Sequence, residues 1–196
     1  MKITGALFTF LLILVTAFVG HDDFDLVQIS AVTSKKESKL NRHYASLYQL
    51  QKFKIVDGKE VILSQKKKAI SIVNFWASWC TPCVEEFGDL NKISQKYGKD
   101  IMILGVNTDS EDQMKLIKKF QKKYELAFPI VADKESKLVD AFIVDSIPFS
   151  VIYLNGKLHK FTVGIQDFSS GEYTELFDTA INNYKSNLKN KIPAKN

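Results

Sequence analysis

The chain is predicted to adopt an α/β fold in which a mixed central sheet is flanked by helices on both faces. Three observations predict it. The continuous apolar runs Ile70–Trp76 and Ile101–Val106 are typical of strands that are covered on both faces. A helical pattern follows each run, which favours parallel strands joined by right-handed crossovers. Near the C-terminus, Asn155-Gly156 separates two further apolar runs and predicts an antiparallel hairpin.

The segment before the first buried strand contributes two features. Residues 21–47 carry many polar side chains and predict a linker, with one short strand at Asp25–Ala31. Asp57-Gly58 lies between Gln51–Val56 and Glu60–Leu63, and an Asp-Gly pair between two such runs is a strong hairpin signal. We therefore expect an N-terminal hairpin extension ahead of the central sheet.

Hydrophobic periodicity predicts the remaining elements. Thr81–Tyr97 predicts a helix with Pro82 in its first turn, where the missing N–H is not needed. Ser110 and Gln113 form a capping-box pattern at the start of the next helix. The other predicted elements are a strand at Phe128–Val131 and a short helix at Ser136–Phe142, which form a central insertion, then the hairpin strands Phe149–Leu154 and Leu158–Val163 and a final amphipathic helix at Gly171–Leu188.

The composition bounds the domain organisation and the partners. A chain of 196 residues with 45% hydrophobic residues fits one domain, placed at 48–190, with extra segments and a disordered tail at 191–196. The net charge is +5, and the basic residues are scattered as solvated faces. No strip of alternating aromatic and arginine residues supports nucleic-acid binding.

The N-terminus has the pattern of an export signal. Met1-Lys2 precedes an uncharged stretch from Ile3 to Gly20, and acidic residues follow. As a helix this stretch would be about 27 Å long, enough to cross a thin hydrocarbon core. Residues 1–20 are therefore expected to be a retained membrane anchor or a signal cleaved after Ala17, with a buried helix as the third alternative. Either of the first two places the domain at 48–190 in the periplasm or an equivalent extracytoplasmic space.

Cys80 and Cys83 are the only cysteines, and they lie between an apolar strand and a helix. A sulfur at the start of a helix gains backbone N–H partners and the positive end of the helix dipole, which both favour the thiolate. A disulfide that closes such a small loop removes little chain entropy, so a purely structural staple is disfavoured. The spacing favours a redox-active pair that needs no further cofactor.

The stretch Val73–Cys83, which reads VNFWASWCTPC, resembles the active-site region of thioredoxin-fold proteins. With Glu85-Glu86-Phe87 after it, the stretch is most similar to the TlpA/ResA group of membrane-anchored, extracytoplasmic thiol–disulfide oxidoreductases. The match runs from about Leu50 to Tyr184 and includes Gly105-Val106-Asn107 and Ile147-Pro148. The resemblance implies a thioredoxin-like fold.

The resemblance also implies a role for each active-site residue. It makes Cys80 the exposed attacking thiolate and Cys83 the buried resolving thiol. Pro148 would form the cis-proline loop beside the disulfide, where Ile147 and Trp79 would contact a substrate peptide; an ordinary trans-proline is the alternative. The implied partners of this monomer are disulfide-containing protein substrates, such as apocytochrome c in cytochrome c biogenesis, and a membrane thiol-electron donor.

Glu86 is a third candidate catalytic residue. It lies three residues after Cys83 on an apolar helix face, so burial should raise its pKa and allow proton exchange with Cys83. The alternative is a solvated glutamate in the first turn of the helix. Asn74 takes the position at which thioredoxins carry a buried aspartate, and this strengthens the interpretation of Glu86 as the proton acceptor.

Rival chemistries remain as alternatives with fewer residues to support them. Zinc needs about four ligands, and only three dispersed histidines accompany the cysteine pair, so no metal site is expected. Val84 replaces the histidine of a haem-attachment motif. A thiol peroxidase of the peroxiredoxin type would resemble Pro-x-x-x-Thr-x-x-Cys, whereas Val73 and Ala77 stand at those positions before Cys80. A redox-inert binding module on the same fold is the non-enzymatic alternative.

Overall fold

The computed structural model describes residues 38–110 and 112–191. The chain divides into two compact units, Met1–His43 and Tyr44–Asn196; of the first, only residues 38–43 are described, and they are helical. In chain order the elements are α1 (38–50), β1 (Phe53–Lys54), β2 (Glu60–Val61), α2 (Leu63–Lys66), β3 (Ile70–Trp76), α3 (Thr81–Tyr97), β4 (Ile101–Asn107), α4 (Gln113–Tyr124), β5 (Ile130–Ala132), α5 (Lys137–Ala141), β6 (Phe149–Leu154), β7 (Lys157–Val163) and α6 (Gly171–Lys191).

Five strands form the central sheet in the order β5-β4-β3-β6-β7. The three strands β3, β4 and β5 are parallel, whereas β6 and β7 run antiparallel to their neighbours. This confirms the predicted mixed sheet. The hairpin β1-β2 is separate from it and is attached at the β5 edge, where the Val56 N–H donates to the Ile130 carbonyl at 2.9 Å.

The central strand β3 is buried along its whole length. It lies between β4 and β6, so its backbone is hydrogen-bonded on both sides while helices cover both faces. The side chains of Ile72 and Trp76 join the core under α3 and α6. Phe75 points to the opposite face and packs on Phe142 and Phe149. Because β3 is paired on both sides up to Phe75, the sheet fixes where the chain leaves the strand for the cysteine pair.

Helix α3 begins immediately after Cys80, which is its N-cap. Pro82 occupies the first turn as predicted, and the helix has the predicted bounds. Its apolar stripe faces the sheet and anchors the helix in the core. The buried members of this stripe are Cys83, Glu86, Phe87, Leu90, Ile93 and Tyr97. Glu86 is therefore a carboxyl on the core face of the helix, whereas its neighbour Glu85 is exposed.

Helix α1 was not predicted: within the predicted linker at 21–47, the described residues 38–47 are helical. Two tyrosines one helical turn apart, Tyr44 and Tyr48, are 2% and 4% exposed and hold the helix to the sheet. The Tyr44 hydroxyl donates to the Phe142 carbonyl at 2.8 Å, and the Tyr153 hydroxyl donates to the Tyr44 carbonyl at 3.1 Å. The polar run Thr33–Lys39 ahead of the tyrosines favoured a linker over a helix.

Several predicted boundaries differ from the structure. The first hairpin has two-residue strands, and Leu63 begins the unpredicted helix α2 instead of ending a strand. The predicted capping box is wrong because Asp112, not Ser110, is the N-cap of α4, and its side chain makes no cap hydrogen bond. Gln113 instead donates to the Asn107 carbonyl at 2.8 Å. The strand predicted at Phe128–Val131 is observed as β5 at Ile130–Ala132. The short helix predicted at Ser136–Phe142 is observed as α5 at Lys137–Ala141.

The C-terminal part agrees with the sequence patterns. Asn155 and Gly156 have φ values of 52° and 78°, the left-handed conformations that a tight hairpin turn requires. Helix α6 starts at the predicted residue and extends to Lys191. The predicted anchor at 1–20, the strand at Asp25–Ala31 and nearly all of the predicted tail lie outside the described residues. Within the described ranges, no helix is both long and apolar enough to span a membrane.

Candidate active site

Cys80 and Cys83 form a disulfide at the head of α3, with their Cα atoms 5.3 Å apart. The pair lies where β3 ends, because the turn after Trp76 is closed by a hydrogen bond from the Cys80 N–H to the Ala77 carbonyl at 3.2 Å. The Cys80 Sγ in turn accepts the Cys83 N–H at 3.3 Å. A reduced Cys80 at this N-cap would meet the same donor and the positive end of the helix dipole, which both stabilise a thiolate.

The two cysteines differ little in exposure in this oxidised state. Cys80 is 5% exposed and Cys83 is 1% exposed, so the expectation of an exposed Cys80 is not met here. Trp79, immediately before the pair, is 72% exposed, so its side chain forms part of the protein surface next to Cys80.

The Ile147–Pro148 peptide is cis, as the resemblance implies. It leads into β6, and the Pro148 carbonyl accepts the Gly164 N–H at 2.8 Å. This bond ties the proline loop to the end of β7. Ile147 and Trp79 line one cavity, so the proline loop and the residue before the disulfide meet at the same surface.

Glu86 is 1% exposed and lies one helical turn after Cys83. Burial raises the pKa of Glu86 to about 7, while hydrogen bonds from Gln166 and Asn74 act in the opposite direction. The Gln166 N–H donates to Oε1 at 2.9 Å and the Asn74 Nδ2 donates to Oε2 at 2.7 Å. Glu86 is therefore a carboxyl with a near-neutral pKa on the face of α3 that carries Cys83. Its burial excludes the alternative of a solvated glutamate in the first turn of the helix.

Asn74 belongs to a row of polar residues that crosses the sheet. It is paired with Ser150 on β6, which is paired with Thr162 on β7. The Asn74 Nδ2 donates to the Ser150 Oγ at 2.9 Å as well as to Glu86. Among the residues that the structure describes, the buried Asn74 Oδ1 has no hydrogen-bond partner. The amide thus keeps one acceptor available beside the carboxyl.

The loop before the cysteines is held by Asp109, a residue that the sequence analysis missed. The Asp109 carboxylate accepts the Ser78 N–H at 3.0 and 3.2 Å and the Ser78 hydroxyl at 3.1 Å. Asn107 donates to the same carboxylate at 2.7 Å. The available signal was its position just after β4, because the carboxyl ends of parallel strands meet at one edge of a sheet.

The fold and the disulfide at the head of α3 define a class of protein, the thioredoxin-like proteins with a Cys-x-x-Cys disulfide. Within it, the chain belongs to the AhpC/TSA family, which residues 45–156 match. This confirms the thioredoxin-like family and fold expected from the motif around Cys80. Within the described residues there is no group of three or more histidine, cysteine or acidic side chains that could hold a metal ion.

Similarity to named proteins is consistent with this class. The chain is 32% identical over 113 residues to the thiol-disulfide oxidoreductase ResA of Bacillus cereus, which covers 57% of this chain and 64% of ResA. It therefore spans less than two thirds of the length of that relative. The thioredoxin-like protein YneN of Bacillus subtilis is 32% identical over 142 residues, covering 71% of this chain and 79% of YneN. The crystal structure of StoA from Bacillus subtilis is similar with a TM-score of 0.54 and 25% identity, covering 65% of this chain and 94% of StoA.

Proposed function

We propose that this protein reduces disulfides of exported proteins through a cycle of its Cys80–Cys83 pair. The observation that carries the proposal is the disulfide at the head of α3 with the buried Glu86 one turn further along the helix. The name of ResA, a thiol-disulfide oxidoreductase, supports the same activity.

The first step is attack by Cys80. Its thiolate, stabilised at the N-cap of α3, attacks one sulfur of a substrate disulfide. A bond forms between the Cys80 Sγ and that sulfur, the substrate S–S bond breaks, and the other substrate sulfur leaves as a thiolate. The result is a mixed disulfide between Cys80 and the substrate.

The second step releases the substrate and uses Glu86. The Cys83 thiol gives its proton to the Glu86 carboxylate, attacks the Cys80 Sγ and expels the second substrate sulfur as a thiolate. Two electrons have then passed to the substrate, and the Cys80–Cys83 disulfide has formed. A dithiol donor at the membrane reduces this disulfide by the reverse exchange and restores the active form.

The proposed location of the protein is supported by its N-terminal sequence, and its proposed substrates are supported by the resemblance to the TlpA/ResA group. The uncharged stretch from Ile3 to Gly20 after Lys2 supports attachment to, or export across, the cytoplasmic membrane, with residues 48–190 outside. Apocytochrome c before haem attachment is the specific substrate that the resemblance supports. In intact cells, a membrane-impermeant maleimide should label Cys80 after mild reduction; labelling only after lysis would contradict this location.

The activity is tested by reduction of insulin disulfides with dithiothreitol as the dithiol donor. The full chain should accelerate precipitation of the insulin B chain, and Cys80→Ser should abolish the acceleration. Cys83→Ser, reduced and then mixed with insulin after removal of dithiothreitol, should instead accumulate a mixed disulfide, visible as a mass increase of the protein by one insulin molecule. A rate equal to that of dithiothreitol alone would refute the activity and would favour the redox-inert binding module.

The direction of the cycle is tested by equilibrating the pair with glutathione buffers. A reductase of exported proteins needs a potential near that of thioredoxin, about −270 mV. A value near about −120 mV, as in strong oxidants of the same fold, would overturn the reductive direction. Alkylation of the free thiols followed by mass measurement gives the reduced fraction at each buffer ratio.

The AhpC/TSA match favours one second candidate, a thiol peroxidase. In that reaction the Cys80 thiolate would reduce a hydroperoxide to an alcohol and become a sulfenic acid, which Cys83 would convert to the disulfide with loss of water. Val73 and Ala77 stand where the peroxidatic motif has proline and threonine, which argues against it. Fast, stoichiometric peroxide consumption by the reduced protein would favour this candidate over disulfide reduction.

A further inference from the structure

A cavity of about 460 Å³ lies next to the residue that precedes the disulfide. One side is formed by Trp79, the residue before Cys80, and the other by α5 and the loop that leads to the cis-proline. Its apolar lining comes from Trp79, Val139, Val144 and Ile147. A substrate cysteine attacked by Cys80 would therefore have its neighbouring side chains at the mouth of this cavity.

The side of the cavity that Trp79 forms is fixed by the buried carboxylate of Asp109. Asp109 is 4% exposed and binds both the N–H and the hydroxyl of Ser78, next to Trp79. Thr108, another lining residue, bonds through its N–H to the Trp76 carbonyl at 2.9 Å. These bonds fix the backbone that leads into Trp79 before any substrate arrives, which limits the entropic cost of binding.

The opposite side of the cavity, formed by α5 and the loop after it, is also fixed by a buried carboxylate. The buried Asp133 carboxylate accepts the Leu138 N–H at 3.0 Å and the Val139 N–H at 2.9 Å, which anchors the start of α5. The Val144 N–H donates to the Val139 carbonyl at 3.0 Å and closes the loop after the helix. Hydrogen bonds thus fix the backbone on both sides of the cavity, at Trp79 and at α5 with the loop after it.

The charge at the cavity differs in sign from that of the whole chain. The protein carries 27 basic and 22 acidic residues, yet no lysine or arginine is among the lining residues. The one charged lining residue is Asp145, which is exposed between the apolar Val144 and the proline loop. A cationic group bound here would meet a carboxylate without displacing a basic side chain of the lining.

We propose that this cavity is a substrate subsite that selects polypeptides in which a bulky apolar residue and a lysine or arginine flank the reacting cysteine. This inference rests on the proposed function and names the substrate class of the same site. The apolar side chain enters between Trp79 and Val144, and Asp145 pairs with the cation at the rim. Asp145 is then a specificity-determining residue.

The test uses the reduced full chain and peptides whose single cysteine is a mixed disulfide with thionitrobenzoate. Attack by Cys80 on the peptide sulfur releases the coloured thionitrobenzoate and leaves a peptide–Cys80 disulfide. Four pentapeptides carry leucine or serine beside the cysteine and lysine or glutamate at the outer positions. The mixed disulfide of mercaptoethanol with thionitrobenzoate has the same leaving group without a peptide, and every rate is divided by its rate for the same variant.

The expected result is a preference for the lysine–leucine peptide over the glutamate–leucine peptide of about fivefold at low salt, declining as salt is added. Asp145→Asn should reduce this ratio to about twofold or less, and Asp145→Lys should invert it. Asp140→Asn, which removes an exposed carboxylate on α5 outside the lining, is the matched control and should leave the ratio unchanged.

The apolar part of the subsite is tested on the same peptides. Val144→Ser should remove most of the advantage of leucine over serine, and Val139→Ser gives an independent variant if the first one unfolds. Equal rates for lysine and glutamate peptides in the wild type, or a ratio insensitive to Asp145, would overturn this inference alone. No thionitrobenzoate release from the mercaptoethanol compound would overturn the proposed function and the subsite with it.

Discussion

The Asn74 Nδ2 lies 2.7 Å from the Glu86 Oε2 and donates a hydrogen bond to it in the core of the protein. The other carboxyl oxygen accepts the Gln166 N–H at 2.9 Å. An amide can donate to a carboxylate and can also accept from a carboxylic acid, so Asn74 can serve both protonation states of Glu86. An aspartate at this position would be a second negative charge. The Asn74 amide therefore bonds the buried Glu86 carboxyl without adding a charge to that of Asp89, which itself raises the Glu86 pKa.

Replacement of Glu86 should change the pH dependence of the second exchange step. In the proposed cycle the carboxylate form of Glu86 accepts the Cys83 proton, so the rate of mixed-disulfide resolution should rise through pH 7, the region of the Glu86 pKa. Glu86→Gln should remove this rise and slow resolution by about 10²-fold at pH 8. The measurement is release of a trapped substrate thiol from pH 5 to 9.

Glu85→Gln is the matched control for that measurement, since Glu85 precedes Glu86 on the same helix but is exposed. It should retain the wild-type profile. An unchanged inflection near pH 7 in Glu86→Gln would remove Glu86 from the mechanism.

Glu86 should also make the folded state less stable as the pH rises. Burial raises its pKa from 4.5 to about 7, so the folded protein binds this proton more tightly than the unfolded chain does. The resulting stabilisation is present below pH 4.5 and is lost as the pH rises through 7, a change of about 3 kcal/mol in the free energy of unfolding. Urea unfolding at pH 4.5 and 8 should show this loss in the wild type, and Glu86→Gln should lack it.

Asn74→Asp should raise the pH at which the exchange rate changes. It would place a second carboxyl within hydrogen-bond distance of Glu86, and two such groups cannot both ionise easily. The profile should move up by about one pH unit or more, with two apparent pKa values that belong to the pair. Asn74→Ala removes the hydrogen bond without adding charge, so an equal shift in both variants would contradict the like-charge explanation.

Asp109→Asn should loosen the loop that carries Trp79. The carboxylate accepts the Ser78 N–H, the Ser78 hydroxyl and an Asn107 N–H, and hydrogen bonds to a charged group contribute about 1.5–3 kcal/mol. We expect a loss of about 2 kcal/mol in the free energy of unfolding and slower attack by Cys80. Ser78→Ala, which removes only the hydroxyl, should cost about 1 kcal/mol. A larger effect from Ser78→Ala would show that the backbone bonds contribute little.

Gly105 is required by packing on β4. A Cβ there would lie 2.8 Å from the Ile130 Cδ1 and 3.2 Å from the Trp76 Nε1. Gly105→Ala should therefore reduce the free energy of unfolding by about 1–3 kcal/mol. Gly88→Ala, in the interior of α3 with no atom within 4 Å of its Cβ, should instead stabilise by up to about 1 kcal/mol. Chemical unfolding of both variants distinguishes a steric effect from a general response to alanine.

The elements next to the disulfide were the most predictable part of the fold. The bounds of β3 and α3 agree with the sequence patterns because one is a continuous apolar run and the other a regular stripe that starts at Pro82. Helix α1 was missed since only Tyr44 and Tyr48 mark its buried side. The capping pattern at Ser110 failed because the chain enters α4 through Asp112 in a left-handed conformation.

Local sequence by itself determined the cysteine spacing, the strand and helix around it, and the presence of Glu86 on the same helix face as Cys83. Those features follow from interactions between residues a few positions apart. The tertiary structure alone decided which groups bond the carboxyl, because its partner Gln166 is 80 positions away, and which group holds the loop, because Asp109 is 31 positions from Ser78. The hydrogen-bond partners of a charged group depend on which distant segments pack around it, and no short-range pattern encodes them.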